Sequence, residues 1–225
     1  MPRYCSRCWP AAWVPAEAAG PIRFGRPENH FFEEVDSAIL ARIDRLIAAL
    51  AEAGHAVLPK RIEGVERCLA IHVQTITAES AEAYWLPVIE NPEVLGEDVR
   101  VRLEAGQFLA SVDYVKAQRM RTAQRAALQT ALADIDVLIM PTVATVAPEI
   151  GANEVTIDGA KRPLHPALTR FTTPFNQSGL PAITLPCGQN ADGLPVGVQL
   201  ASRYGNDARL LQVAAEVERI IPTLD

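Results

Sequence analysis

Chemistry needs particular side chains at particular spacings, and this chain offers few. The sharpest local pattern is Cys5-x-x-Cys8. A redox dithiol needs a helix start behind it to lower one thiol pKa, and Pro10 with its neighbours supplies none. A zinc site needs two more ligands at fixed spacing, and there is neither a second cysteine pair nor a closely spaced histidine pair. Incidental thiols are the expected reading, with Cys68 and Cys187 buried and structural. His30, His55, His72 and His165 form no metal-binding face by spacing, and each alone reads as structural or exposed. The six serines are Ser6, Ser37, Ser80, Ser111, Ser178 and Ser202. None lies in Gly-x-Ser-x-Gly. Ser178, in Asn176-Gln177-Ser178-Gly179, comes closest, with no base implied nearby. No glycine-rich phosphate loop and no dinucleotide fingerprint occurs. The residues alone therefore assemble no catalytic constellation, and neither a metal nor an organic cofactor is expected.

The elements that would position any site are clearer. Ile22-Arg23-Phe24-Gly25 reads as a strand ended by Pro27. Asp36 or Ser37 then caps a helix whose Ile39, Ile43, Leu46, Ile47 and Leu50 form one wide apolar stripe. Gly54 stops it, and Ala56-Val57-Leu58 is the next strand, which makes a right-handed βαβ unit. Residues 64–133 read as mostly helical, broken at Asn91-Pro92 and at Gly106, with Ser111 as the cap of the last helix. The run Asp136-Val137-Leu138-Ile139-Met140, bounded by Pro141, predicts a strand over 136–140 buried on both faces. Residues 141–166 read as one long irregular segment. Asp192-Gly193 predicts an antiparallel hairpin joining Ala182-Ile183-Thr184-Leu185 to Val196-Gly197-Val198-Gln199-Leu200. A helix over residues 206–220 closes the chain. The expected class is α/β, with a mixed, largely parallel sheet flanked by helices.

Composition narrows the function classes. The chain has 225 residues, 49% hydrophobic and 21% charged, with a net charge of −6. That is globular, and its sign disfavours sequence-independent nucleic-acid binding. No apolar run reaches the roughly 18 residues of a membrane span. Four cysteines are too few for a disulfide scaffold, so a cytoplasmic location is expected. Residues 1–20 carry Arg3 and Arg7 ahead of a proline-interrupted stretch, and read as a poorly ordered lead-in rather than a signal peptide.

Several ordered segments carry a resemblance. They are Asp136-Val-Leu-Ile-Met-Pro-Thr142, Thr173-Pro-Phe-Asn-Gln-Ser-Gly-Leu-Pro-Ala182, Leu185-Pro-Cys-Gly188 and Gly193-Leu-Pro-Val-Gly-Val-Gln199. Pro27-Glu-Asn-His-Phe-Phe32, Asp98-Val-Arg-Val-Arg-Leu-Glu-Ala-Gly106 and Tyr114-Val-Lys-Ala-Gln-Arg-Met-Arg121 precede them in the same order. Together they resemble the C-terminal part of the amidase signature family, so residues 21–225 are expected to form the C-terminal half of that fold. The resemblance implies hydrolysis of an amide to a carboxylate and ammonia or an amine, by a Ser–cis-Ser–Lys triad that family members carry in their N-terminal half. No Ser-Ser or Gly-Gly-Ser occurs here, and none of Lys60, Lys116 and Lys161 stands in the family's lysine context. The chain alone is expected to be inactive, and the loss of half a sheet is expected to leave an apolar edge or face open.

The resemblance also implies that residues 141–179 wall the substrate pocket, with Arg102, Thr142, Thr169 and Asn176 as substrate contacts. Arg102 corresponds to an arginine that helps hold substrate in the tRNA-dependent glutamine amidotransferase branch. An acidic residue is expected in that branch seven positions before Asn176, where this chain has Thr169, which favours a general amidase ancestry. The expected partners are a small-molecule amide in the complete enzyme, and a complementing N-terminal fragment or a second copy of the chain. An alternative stays open: a non-catalytic interaction protein that keeps the half-fold and binds a partner completing the sheet.

Overall fold

A computed structural model of the chain describes residues 20–224. The Cys5-x-x-Cys8 motif, Ser6 and the lead-in expected over residues 1–20 lie outside the described residues, Gly20 apart. The first unit is the expected βαβ: strand β1 (Arg23–Pro27), helix α1 (Ser37–Glu52) and strand β2 (Ala56–Lys60). Asp36 caps α1, its carboxylate accepting from the Ala38 N–H at 2.8 Å, which satisfies one of the unpaired amides of the first turn. Ile39, Ile43, Leu46 and Leu50 bury the stripe. Gly54, at φ +89°, lets the chain turn back into β2.

Helices α2 (Cys68–Ala83), α3 (Trp85–Glu90), α4 (Glu97–Gly106) and α5 (Ser111–Ala131) follow. Ser111 is not the cap of α5: Ala110 holds that position and makes no side-chain capping bond, so Ser111 is the first helical residue. Strand β3 (Val137–Pro141) is buried at all five positions, as its unbroken apolar run requires. The stretch read as irregular contains a hairpin, β4 (Glu154–Ile157) and β5 (Ala160–Pro163). Its two-residue turn is Asp158-Gly159, at φ +46° and +81°, the left-handed pair that such tight turns require. Ser37 donates to the Asp158 carboxylate from both its N–H and its hydroxyl, which holds the hairpin tip against the start of α1. Short helices α6 (Leu164–Thr169) and α7 (Thr173–Ser178) lead into β6 (Ala182–Gln189) and β7 (Pro195–Ala201), then α8 (Asp207–Ile220).

The main sheet has the order β2-β1-β3-β7-β6. β1 runs parallel to β2 and β3, whereas β7 runs antiparallel to β3 and β6, so the sheet is mixed. Helices α1 and α8 pack on each other and on β6 and β7, which places them on one face of the sheet. Helices α2, α4, α5 and α7 pack chiefly among themselves as a second helical group. Val65, Cys68, Leu128 and Leu132 tie that group to the sheet's core cluster. No helix among the described residues is long and apolar enough to cross a membrane.

Candidate functional site

A groove that brings polar and apolar groups together, Arg102 among them, lies where α2, α4 and α6 meet. Helical spacing aligns its walls. Val73, Ile76, Thr77 and Ser80 follow one another on α2, and Val99, Arg102 and Leu103 do so on α4. His72 and His165 complete the lining of a hollow of about 450 Å³. α4 lies close to α2 because Gly106 has no side chain: a Cβ there would sit 2.6 Å from both the Thr77 carbonyl oxygen and the Ala81 Cβ. Burial, reinforced by repulsion from His165, holds the His72 imidazole below its ordinary pKa.

Arg102 is an exposed wall residue, and the ion pair on α4 is the neighbouring Arg100–Glu104 at 3.7 Å. Thr169 sits one contact behind the groove. Its hydroxyl donates to the His165 carbonyl at 2.7 Å and lies 3.5 Å from His165 Nδ1. The hydroxyl proton is therefore committed to a carbonyl, and His165 does not activate Thr169 as a nucleophile. The Thr169 carbonyl in turn accepts from the Thr172 and Thr173 hydroxyls, fixing α6 against α7.

The other two residues named from the resemblance lie elsewhere. Thr142 follows β3, its N–H donating to the Gly197 carbonyl at 3.1 Å and its hydroxyl 3.3 Å from that of Thr184. Gly197 permits this approach, since a Cβ there would stand 2.9 Å from the Thr142 hydroxyl. Asn176 is exposed on α7 and lines a separate hollow with Tyr204 and Asp207. The groove thus joins Arg102 and Thr169 through His165 and leaves Thr142 and Asn176 apart. Sequence reasoning passed over His72 and His165, which lie on helices distant in the chain and carry no shared spacing signal.

Each lysine among the described residues is held in an ion pair, and two of the serines in backbone hydrogen bonds. Lys60 pairs with Asp134 at 2.5 Å, Lys116 with Asp113 at 3.5 Å and Lys161 with Glu154 at 3.1 Å. The Ser178 hydroxyl donates to the Phe175 carbonyl and the Ser202 hydroxyl to that of Asp136. Cys68 and Cys187 are both buried, and burial pushes the Cys68 thiol up to about 12, far from a reactive thiolate at neutral pH. His30 is held by structure rather than chemistry: its Nε2 lies 3.1 Å from the Arg170 carbonyl and its ring meets Phe31 and Phe171 edge-on. No cluster of three or more His, Cys, Asp or Glu side chains among the described residues is arranged to hold a metal ion.

The mixed sheet with its helical flanks and this groove define an α/β enzyme-like scaffold, and comparison places it in a family. The Amidase family model matches residues 8–211, and the chain belongs to that family. It is 34% identical over 174 residues to an amidase of Pseudomonas putida, covering 77% of this chain and 37% of that protein. It is 32% identical to a glutamyl-tRNA(Gln) amidotransferase subunit of Prochlorococcus marinus (strain MIT 9303), over 97% of this chain and 48% of that one. A crystal structure of an amidase superposes with a TM-score of 0.84 at 28% identity, covering 92% of this chain and 47% of its own. The chain thus spans less than half the length of these relatives.

Proposed function

We propose that this chain is the C-terminal part of an amidase-family hydrolase, contributing one wall of the acyl pocket and no part of the catalytic triad. Completed by the rest of the domain, it serves hydrolysis of an amide to a carboxylate and ammonia or an amine; alone it is inactive. The observation that supports this reading is the α2–α4–α6 groove, in which a cation and two imidazoles face apolar walls. Val73, Ile76 and Leu103 suit a hydrocarbon segment of the substrate, while Arg102 supplies a permanent positive charge for a carbonyl or carboxylate oxygen. Thr169 acts in this reading as a positioning residue, holding the helix that carries His165. Thr142 and Asn176 reach substrate only through surfaces that the rest of the domain contributes. No cofactor is invoked, and the cytoplasm is the compartment this reading assigns.

Two measurements test it. Ammonia or amine release from simple aliphatic and aromatic amides by the purified chain is expected to match the buffer blank. Turnover that disappears in Ser80→Ala or Ser178→Ala would overturn the inactive-alone reading. Titration with hexanoate, followed by NMR, is expected to shift the imidazole resonances of His72 and His165, with the shifts lost in Arg102→Gln. Shifts that survive that change would remove Arg102 from the pocket. A second reading, an interaction protein whose partner completes the sheet, draws on edge strands β2 and β6, each paired on one side only. Capture of a partner by β2 or β6 backbone pairing, with the groove indifferent to it, would favour that reading.

A further inference from the structure

Helix α6, with six residues, is too short to hold its shape by its own hydrogen bonds. It is nevertheless the element that brings His165 to the groove. Two arginines bracket it in the chain: Arg162 on β5, ahead of its start at Leu164, and Arg170 directly after its end at Thr169. Both reach one carboxylate. Glu34 takes Arg162 on Oε1 at 2.8 Å and Arg170 on Oε2 at 3.1 Å, so each oxygen holds one end of α6.

A single exposed ion pair does little, but this is a network, and the Arg170 side chain in it is only 15% exposed. Arg170 also donates to the Glu33 and Glu34 carbonyls, the latter at 2.7 Å. Glu34 itself sits at φ +48°, a left-handed backbone that a residue other than glycine keeps only when its surroundings hold it there. Charge decides how the clamp works. Arg162 and Arg170 repel each other, and the Glu34 carboxylate pairs with both. Without its charge, two cations are left at the ends of one short helix. The Ala167 carbonyl still accepts from the Ala144 N–H, and the Leu164 N–H still donates to the Asn153 carbonyl, so α6 shifts rather than melts.

We infer that Glu34 is a positioning residue for the groove: its carboxylate, bound to a guanidinium at each end of α6, sets where His165 stands relative to His72 and Arg102. The inference rests on the groove reading above for its bearing on substrate, and adds a residue outside the groove that shapes it. The surroundings of His72 make a readout specific. His165 from α6 and Arg102 from α4 line the hollow with it. Glu66 and Arg67, ahead of α2, pair with each other at 3.5 Å, as do Arg100 and Glu104 on α4 at 3.7 Å. Helix α5 turns Arg121 to the Gln177 carbonyl and the Tyr114 hydroxyl to Glu79 on α2, and α7 has no ionisable side chain. Moving α6 therefore changes one charged neighbour of His72, the His165 imidazole.

The test follows the imidazole resonances of the full chain by NMR across pH. With α6 in place, a protonated His165 opposes protonation of His72. Glu34→Gln keeps the size of the side chain and removes its charge, and should let His72 titrate at a pH about 0.3 higher. The sign is diagnostic, because losing a carboxylate's charge would by itself lower His72. His165→Gln should raise His72 by the same amount, and the double variant no further. Arg162→Gln frees one end of α6 only and should give a smaller rise; it decides the matter where circular dichroism shows Glu34→Gln unfolded. Asp44→Asn, which breaks the exposed Arg26–Asp44 pair, should leave His72 where it was. A His72 titration that does not rise in the folded clamp variant overturns the inference. So does a rise of the same size when His165 is already replaced, since the effect would then bypass α6. No substrate enters these titrations, so a missing response to hexanoate counts against the groove reading and leaves the clamp standing.

Discussion

The sheet with α1 and α8 and the helical layer of α2–α4 treat apolar side chains in opposite ways. In the first, Ile43, Leu46, Leu138, Ile139, Val198 and Val213 are fully removed from solvent. In the second, Trp85, Leu86, Ile89 and Val101 are between 46% and 60% exposed. Helix α5 passes from one regime to the other, with Val112 and Val115 exposed near its start and Leu128 fully buried near its end. The difference teaches that the sheet with α1 and α8 closes a core, whereas the helical layer leaves large apolar side chains in solvent. The buried strand β3, flanked by β1 and β7, is not part of that surface: the open apolar surface is a helical face rather than a bared edge of the sheet.

The largest effect that would sharpen this contrast comes from truncating each region in turn. Ile139→Ala should cost about 4 kcal/mol in urea unfolding, because β3 has no room to collapse around the cavity. Leu86→Ala should stay within about 0.5 kcal/mol, as at any unpacked surface position. Equal costs would erase the distinction between the two regions.

A smaller effect tests how the open layer holds its own shape. Gly106→Ala places a methyl group 2.6 Å from a backbone oxygen and from the Ala81 Cβ, so α4 must move off α2. About 2 kcal/mol of destabilisation is expected from such overpacking, read as a lowered thermal midpoint. The hexanoate-induced shifts at His72 and His165 should vanish with it. An unchanged midpoint would mean that the layer is looser than its packing implies.

The smallest effect concerns pH. Burial dominates in lowering the His30 pKa, so the folded state holds the neutral ring while an unfolded chain takes up a proton below its ordinary value near 6.5. The stability contributed by the neutral ring is present above that value and is lost as pH falls through it toward 5. His30→Asn should flatten part of that acid slope in urea midpoints measured between pH 7.5 and 5. Asparagine tolerates the left-handed backbone that His30 occupies at φ +70°. An unaltered slope would place the acid sensitivity elsewhere, with His72 the next group to test.

The parts legible in the sequence are those where one local rule dominates. The stripe of α1, the capping aspartate, the Val137–Pro141 run and the Asp192-Gly193 hairpin each follow from periodicity or turn chemistry confined to a few residues. The β4–β5 hairpin carried the same Asp-Gly signal, at Asp158-Gly159, but its strands, Glu154–Ile157 and Ala160–Pro163, are too short and polar to stand out. Ser111 failed as a cap because a cap depends on where the backbone turns helical, and Ala110 occupies that turn. The groove was legible only in part. Arg102 and Thr169 came from motif resemblance, whereas pairing His72 with His165 needs α2 and α6 to line one hollow, which no local pattern encodes. Periodicity identifies an apolar face but not what covers it, so the open layer passed for ordinary helix.

Amide hydrogen exchange on the isolated chain tests the central contrast most directly, because it reads both regions in one experiment without any partner. The account predicts slow exchange, governed by global unfolding, in β3, β7 and the buried face of α1. Exchange at least a hundredfold faster is predicted in the C-terminal half of α2, in α3 and in α4. Uniformly slow exchange across both regions would contradict it, since the helical layer would then be as firmly closed as the sheet.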